Sequence, residues 1–160
     1  MEDLVRDKSK GELRVFGKRW AAIDVQSLCD HLNTLAGPVV AEVIMKQHEF
    51  RLGKDDVARI RQENPSMTTQ DVINWMVEME RATGIGVDTV MLPQGSDSAV
   101  RLEISNPIVK GEKGAERSLM LAYWAGVFST LFEKNYEYTD VAYDADGNVL
   151  RCRFVPRETK

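Results

Sequence analysis

The sequence predicts a single α+β domain with N-terminal helices, an antiparallel sheet and a central buried helix. Two segments, residues 69–83 and 116–134, have the apolar spacing of helices, and the second is apolar around most of its circumference. Such a helix must be buried on several sides. Short segments near the C-terminus alternate apolar and polar residues, as strands with one solvated face do. Helices first, with strands and one core helix later, are typical of the α+β class.

Composition fits one folded domain and excludes several kinds of partner. The chain has 160 residues, 43% hydrophobic and 29% charged, and single cores usually contain roughly 100 to 200 residues. A net charge of -4 argues against nucleic acid and against anionic membranes, which attract clustered Lys and Arg. No apolar run approaches the roughly 20 residues that span a bilayer, and the charged start does not resemble a signal peptide. We therefore expect a cytoplasmic protein without membrane insertion.

The first 23 residues predict a flexible arm followed by short strands. Residues 1–10 are interpreted as the arm, and residues 11–157 as the single domain. Apolar residues alternate briefly within residues 12–23 before Gly17 interrupts them. One or two short strands are expected there.

Helices are expected from Asp24 onward. Asp24 can cap the first helix by accepting a hydrogen bond from a free backbone N–H, and Gly37 with Pro38 supplies a stop and a restart. The restarted helix is expected to end before Gly53. A further short helix is predicted over residues 54–62, ending before a proline.

The clearest helix covers residues 69–83. Thr68 can cap its start, Asp71 lies in the first turn, where negative charge is favourable, and Gly84 provides the C-terminal stop. One face of this helix is expected to be buried, formed by Val72, Trp75, Met76, Met79 and Ala82.

The remaining chain predicts four strands and the core helix. The core helix is expected over residues 116–134, and Asp146-Gly147 is a strong hairpin signal because Gly tolerates the positive φ of such turns. Strands are expected over residues 87–92, 99–105, 136–143 and 149–155.

Three segments carry a resemblance to a known family: RLEISNP, the helix LMLAYWAGVFSTLFE with Gly126 at its centre, and the hairpin DVAYDADGNVLRCRF. From about residue 30 to its end the chain resembles the 4-vinyl reductase domain family. That small-molecule-binding domain is also the sensor module of aromatic-responsive transcription activators. Residues at the family's hairpin positions, with one extra residue in the turn, are Asp140, Tyr143, Gly147, Cys152 and Phe154.

The resemblance implies a fold shared with TRAPP small subunits and haem nitric-oxide-binding domains, an apolar pocket between helices and sheet, and frequent homodimers. The family often has Cys ligands for a structural zinc. Here Tyr143 stands in the hairpin, and no Cys occurs around Ala122. Since zinc needs about four ligands, Asp140 and Cys152 form an incomplete set. We predict no metal and no cofactor.

Catalytic chemistry has little support in the sequence. His31 and His48 belong to no spaced metal motif and are interpreted as surface or helix-capping residues. Cys29 and Cys152 are interpreted as small core residues rather than nucleophiles. The acidic segment 140–148 is interpreted as a turn rather than a calcium loop. We therefore expect no enzyme; an enzymatic role, such as a reductase accessory in tetrapyrrole synthesis, would rest on the family's name alone.

Aromatic and Met side chains on two helices are the candidate ligand-binding residues. A core role is the alternative interpretation, yet Met-rich and aromatic walls also suit an adaptable apolar pocket. The first hypothesis is a stand-alone sensor or carrier, a homodimer that binds a hydrophobic or aromatic small molecule. The alternative is a dimeric interaction or scaffold protein with a TRAPP-like fold and no ligand, marked by an apolar patch within residues 28–44. The candidate residues are Trp75, Met76, Met79, Tyr123, Trp124 and Phe128.

Overall fold

The computed structural model describes residues 4–7, 12–15, 18–20, 24–93, 98–108 and 115–157. These residues form four helices and seven strands, which confirms the α+β class. No helix among them is long and apolar enough to cross a membrane. In chain order the elements are β1 (Leu4–Asp7), β2 (Glu12–Val15), β3 (Lys18–Trp20), α1 (Val25–Ala36), α2 (Pro38–Glu63), α3 (Thr69–Thr83), β4 (Val87–Met91), β5 (Val100–Ser105), α4 (Ala115–Leu131), β6 (Tyr136–Tyr143) and β7 (Val149–Pro156).

The strands form two antiparallel sheets. β1, β2 and β3 make a three-stranded sheet in that order, and the larger sheet has the order β4-β5-β7-β6. Of the one or two short strands expected within residues 12–23, two are present, whereas β1 lies inside the segment expected to be an arm. The other residues of that segment lie outside the described residues.

The centre of the larger sheet carries the predicted alternation. Leu102 of β5 pairs with Cys152 of β7, and Val100 pairs with Phe154. All four side chains are buried, while the residues between them on both strands face outward or are only partly buried. One face of this sheet therefore belongs to the core, as the alternation predicts.

Helix α2 differs from the prediction, because it runs without a break through Gly53. A Cβ added at Gly53 would lie 2.2 Å from the backbone oxygen of Tyr123 in α4, and one added at Gly126 would lie 2.0 Å from the backbone oxygen of Phe50. The two glycines thus allow α2 and α4 to cross at close range. Gly53 is a packing residue, and the prediction that it ends a helix is wrong.

Helix α3 begins and ends where the sequence predicts. Thr68 and Asp71 form a reciprocal capping box, and Gly84 closes the helix in the left-handed conformation with φ 79°. The buried face is rotated from the predicted one, because Ile73 and Glu80 are buried while Ala82 is exposed. The prediction that Ala82 lies on the buried face is therefore wrong.

Helix α4 is the buried centre of the domain. Every residue from 120 to 129 is buried, which confirms the prediction from its apolar circumference. Among the other helices, α4 packs most extensively against α2, and it also contacts α1 and β6.

The C-terminal hairpin forms as predicted. Gly147 has φ 67°, and one carboxylate oxygen of Asp144 accepts hydrogen bonds from the backbone N–H groups of Asn148 and Val149 at 2.6 and 3.0 Å. This aspartate thus has the turn-stabilising role expected for the acidic segment.

Candidate functional site

The predicted ligand-binding residues come together in one core cluster. Met76, Met79, Tyr123, Trp124 and Phe128 are buried in it, and Trp75 is partly buried and packs against it. α3 and α4 therefore both contribute to this cluster, as predicted, although the longest helix contact of α4 is with α2.

The aromatic rings of α4 are arranged in defined pairs. The rings of Trp124 and Phe128 stack with their centroids 5.3 Å apart and 27° between their planes. Phe128 meets Phe154 of β7 edge to face at 5.0 Å, and Tyr123 meets Trp124 edge to face at 6.2 Å. Aromatic pairs in such geometries stabilise the fold by more than the burial of their apolar area alone.

Polar side chains lie inside this apolar cluster, in two groups. In the first, which we call the Asp56 group, the Asp56 carboxylate on α2 accepts a hydrogen bond from the Tyr123 hydroxyl at 3.3 Å and pairs with the Arg59 guanidinium. Burial, with Asp56 next in importance, holds the pKa of Tyr123 well above its usual value. Asp56 thus has both a cation and a neutral donor.

The second group, which we call the Glu80–Asp88 pair, joins α3 to β4. Glu80 is 3% exposed and Asp88 is 4% exposed. The Trp124 indole N–H donates to one Asp88 oxygen at 3.1 Å. Within the described residues, Oε2 of Glu80 and Oδ1 of Asp88 have no hydrogen-bond partner apart from a proton that the two acids can share. Buried oxygen atoms in this state are uncommon in folded proteins.

The two acids of the pair hold their protons differently. Burial is the main cause that raises the pKa of Glu80 well above 4.5, and the hydrogen bond with Asp88 raises it further. Burial also raises the pKa of Asp88, but hydrogen bonds from Glu80 and Trp124 oppose that rise. Glu80 is therefore the proton donor of the pair and Asp88 the acceptor.

Negative charge accumulates around these two groups. Glu49 of α2 is also buried enough for its pKa to be raised, mainly by desolvation, and its charge acts on Glu80. Asp88 in turn is the second cause, after burial, of the raised pKa of the Cys152 thiol. The Cys152 sulfur is therefore held as a thiol, which is a poor nucleophile.

Glu80, Asp88 and Asp56 are not among the residues that the sequence predicts for the site. Glu80 follows Val72 and Met76 at intervals of four, so it lies on the apolar stripe of α3, and Asp56 lies between Gly53 and Ile60 on the buried face of α2. A charged residue at an otherwise apolar helical position is the signal that could have found them. Asp88, in a short strand of mixed polarity, gives no comparable signal.

The hairpin residues of the family resemblance are not gathered into a site. The Asp140 carboxylate is exposed and lies 3.5 Å from the Arg153 guanidinium, whereas Cys152 is buried in the core. Among the described residues there is no group of three or more His, Cys, Asp or Glu side chains that could hold a metal ion. His31 and His48 are exposed helical residues, as the sequence predicts.

Comparison with known proteins identifies a solved structure with a similar fold. No family model and no curated protein matches the sequence. A solved structure that is similar over 97% of this chain and 85% of its own is the crystal structure of the phenol-responsive sensory domain of the transcription activator PoxR with phenol. The TM-score is 0.76 and the identity 12%. The expected α+β fold is confirmed, since it matches the fold of this sensory domain; membership of the 4-vinyl reductase domain family and the TRAPP-like relationship stay predictions.

Proposed function

We propose that this chain is a small-molecule-binding domain, a sensor or carrier that holds a hydrophobic or aromatic ligand in its apolar interior, and that it is not an enzyme. The observation that carries the proposal is the fold, shared over 97% of the chain with a sensory domain crystallised with phenol. Fold alone does not define function. The composition of the interior adds support from the residues themselves.

The interior has the character of a binding site for a small organic molecule. Such sites are lined mainly by apolar and aromatic side chains with a few polar groups that fix orientation. Stacked Trp124 and Phe128 supply flat apolar faces, Met76 and Met79 supply adaptable ones, and Asp88 with Glu80 supplies the polar part. We assign ligand contacts to Trp75, Met76, Met79, Tyr123, Trp124 and Phe128.

The polar side chains of the interior are better suited to ligand binding than to catalysis. The buried thiol of Cys152 has a raised pKa, which opposes a nucleophilic role. The Asp56 carboxylate is occupied by Arg59 and Tyr123. These features support an interior that recognises a molecule without transforming it.

Ligand binding can be measured directly on the purified chain. Native mass spectrometry tests for co-purified small molecules, and intrinsic tryptophan fluorescence is titrated with phenol, indole, toluene and a medium-chain fatty acid. We expect at least one compound to bind and Phe128→Leu to weaken it roughly 2- to 10-fold, the size of an aromatic contact. Leu35→Ala, at a side chain that is 84% exposed, is the control that should leave affinity unchanged. A chain with no bound molecule and no response to the panel would overturn the proposal.

A homodimer is the second proposal, and a surface observation favours it. Leu35 is 84% exposed and Val39 75% exposed, and Val40, Val43 and Ile44 are also exposed along the start of α2. We call these five residues the α1–α2 apolar face. Contiguous apolar patches of this kind commonly mark interaction surfaces, and a second copy of the chain supplies the same apolar chemistry in a two-fold arrangement.

Sizing chromatography with light scattering tests the homodimer. We expect a dimer at micromolar concentration and a monomer for Val39→Glu, because a carboxylate would be buried against apolar side chains in the interface. Met91→Glu, at an exposed side chain on β4, is the matched control and should remain dimeric. A monomeric wild-type chain would contradict this proposal and leave ligand binding unaffected.

A further inference from the structure

The Glu80–Asp88 pair presents hydrogen-bonding capacity that the chain itself leaves open. Both side chains are more than nine-tenths buried. Trp124 fixes one Asp88 oxygen with its indole N–H. Among the described residues, the other Asp88 oxygen and Oε2 of Glu80 have no partner apart from the proton that the two acids share. A cationic donor that takes the place of this proton would therefore find two acceptor atoms beside stacked aromatic rings.

The charge around these atoms is unbalanced. Four carboxyl side chains act on one another here: Glu49, Asp56, Glu80 and Asp88. Within the described residues, the buried cation that hydrogen-bonds to this set is the Arg59 guanidinium, which binds Asp56. His48 contacts Glu49 from the surface, and Arg81 acts on Asp88 from a half-exposed position where it pairs with Glu78. Among the residues that the structure describes, the Glu80–Asp88 pair therefore lacks a buried cation of its own, and Arg81 acts on it only from the surface.

A shared proton accounts for the pair when no guest is present. Two carboxyl groups in contact in a low-dielectric site cannot both be ionised at acceptable cost. One proton between Glu80 and Asp88 removes that repulsion, and a bound cation in contact with both carboxylates would remove it as well.

We propose that the preferred ligand is an apolar, aromatic molecule with a protonated amine, and that the amine binds between Oε2 of Glu80 and Oδ1 of Asp88. The proposal rests on the proposed function and specifies its ligand class. The ammonium N–H groups donate to both open oxygens, while the aromatic body lies against Trp124 and Phe128. An ammonium near these ring faces also gains cation–π attraction.

Other ligand types satisfy this arrangement less well. A hydrocarbon leaves both oxygens unpaired, and a buried acceptor without a donor is costly. A single hydroxyl donates one hydrogen bond and brings no positive charge. A carboxylate ligand adds a further negative charge to four acids and should be excluded.

A series of phenyl compounds that differ in their end group separates these ligand types on the wild-type chain. Calorimetric titrations compare 2-phenylethylamine, 2-phenylethanol, propylbenzene and 3-phenylpropanoate. We expect the amine to bind roughly 10- to 100-fold more tightly than propylbenzene, the range of a hydrogen bond to a charged group, with the alcohol between them and the carboxylate weakest. If the alcohol or the hydrocarbon equals the amine, the inference about the amine is wrong and the proposed function stands. If none of the four binds while a compound of the first panel does, the inference about the amine is wrong and the proposed function stands; if no compound of either panel binds and none co-purifies, both are overturned.

Amide variants locate the amine on the chain. In Glu80→Gln combined with Asp88→Asn, we expect the preference for the amine over propylbenzene to disappear while propylbenzene still binds. Glu103→Gln, which removes an equal charge from the opposite side of β5, is the control and should keep the full preference. Thermal melting checks that each variant is folded. A folded double variant that keeps the preference would place the amine elsewhere and overturn the assignment.

Discussion

Two consecutive residues of α4 each donate a hydrogen bond to a buried aspartate, with different outcomes. The Tyr123 hydroxyl donates to Asp56 on α2, and the Trp124 indole donates to Asp88 on β4. Asp56 also has a guanidinium beside it, whereas the neighbour of Asp88 is a second acid, Glu80. A buried carboxylate with its own cation has its charge neutralised within the fold. One that depends on a shared proton is open to a ligand, and this difference separates a structural group from a candidate binding site.

The Asp56 group should be the more sensitive to loss of one partner. Arg59→Met leaves the Asp56 carboxylate buried with the Tyr123 hydroxyl but without its cation. We expect a loss of about 3 to 5 kcal/mol in the free energy of unfolding, the range for a broken buried pair, measured by urea denaturation at neutral pH. Arg151→Met breaks the more exposed pair with Glu103 and should cost less than about 1 kcal/mol. Equal losses in the two variants would show that Asp56 does not depend on Arg59.

The Asp56 group should also depend on the close crossing of α2 and α4. Gly53→Ala places a methyl group where only 2.2 Å separates it from the Tyr123 backbone oxygen. We expect a loss of about 1 to 3 kcal/mol, typical of overpacking, measured by chemical denaturation. Gln47→Ala, at an exposed position of the same helix, should change stability by less than about 0.5 kcal/mol. If Gly53→Ala has the same free energy of unfolding as the wild type, α2 and α4 can move apart without a loss of stability.

Loss of the Tyr123 hydroxyl alone should lower the free energy of unfolding by less than loss of Arg59 does. Tyr123→Phe removes the hydroxyl that donates to Asp56 at 3.3 Å, but Arg59 still binds the carboxylate. We expect about 0.5 to 1.5 kcal/mol, the net worth of one hydrogen bond, by the same denaturation assay. A loss as large as that of Arg59→Met would contradict the assignment of Arg59 as the main partner.

The Glu80–Asp88 pair should make the stability of the protein depend on pH, and Glu80→Gln should differ least from the wild type at acid pH. The folded-state pKa of Glu80 is raised above its usual 4.5, mainly by burial. Its stabilising contribution is therefore fully present below the unfolded-state value and is lost as pH rises through the folded-state value. In Glu80→Gln the amide can still donate to Asp88 but does not titrate. We expect the variant to match the wild type near pH 4 and to become the more stable protein as pH rises.

Thermal unfolding across pH 4 to pH 9 measures this difference. Glu78→Gln, at a half-exposed side chain on the same helix that pairs with Arg81, is the matched control and should follow the wild type. If Glu80→Gln instead loses stability relative to the wild type as pH rises, the pair does not hold a shared proton.

Much of the fold follows from short-range signals in the sequence. The capping box of Thr68 and Asp71, the left-handed Gly84 and the Gly147 turn all lie where predicted. Each is an interaction within a few residues, so the local sequence specifies it. The burial of the five predicted ligand-binding residues Met76, Met79, Tyr123, Trp124 and Phe128, with Trp75 packed against them, follows similarly from helical periodicity; their contact with a ligand stays a prediction.

Contacts between distant parts of the chain could not be predicted in the same way. Gly53 has the local features of a helix stop, yet the close crossing with α4 makes it a helix-interior residue. Glu80 lies on the apolar stripe of α3, but its contact with Asp88 of β4 and Trp124 of α4 depends on elements outside that helix. Neither outcome is encoded within one turn of the chain.

By itself, the sequence determined the capping of α3, the closing hairpin, the alternation of the larger sheet and the all-round burial of α4, because these depend on backbone conformation and side-chain spacing over a few residues. The tertiary structure alone decided that α2 crosses α4 at two glycines, that Asp56 finds Arg59 and Tyr123, and that Glu80 and Asp88 lie together beside Trp124. The physical reason is that close approach and burial of charge depend on groups brought together through space, and their free energies arise only when the whole core has formed.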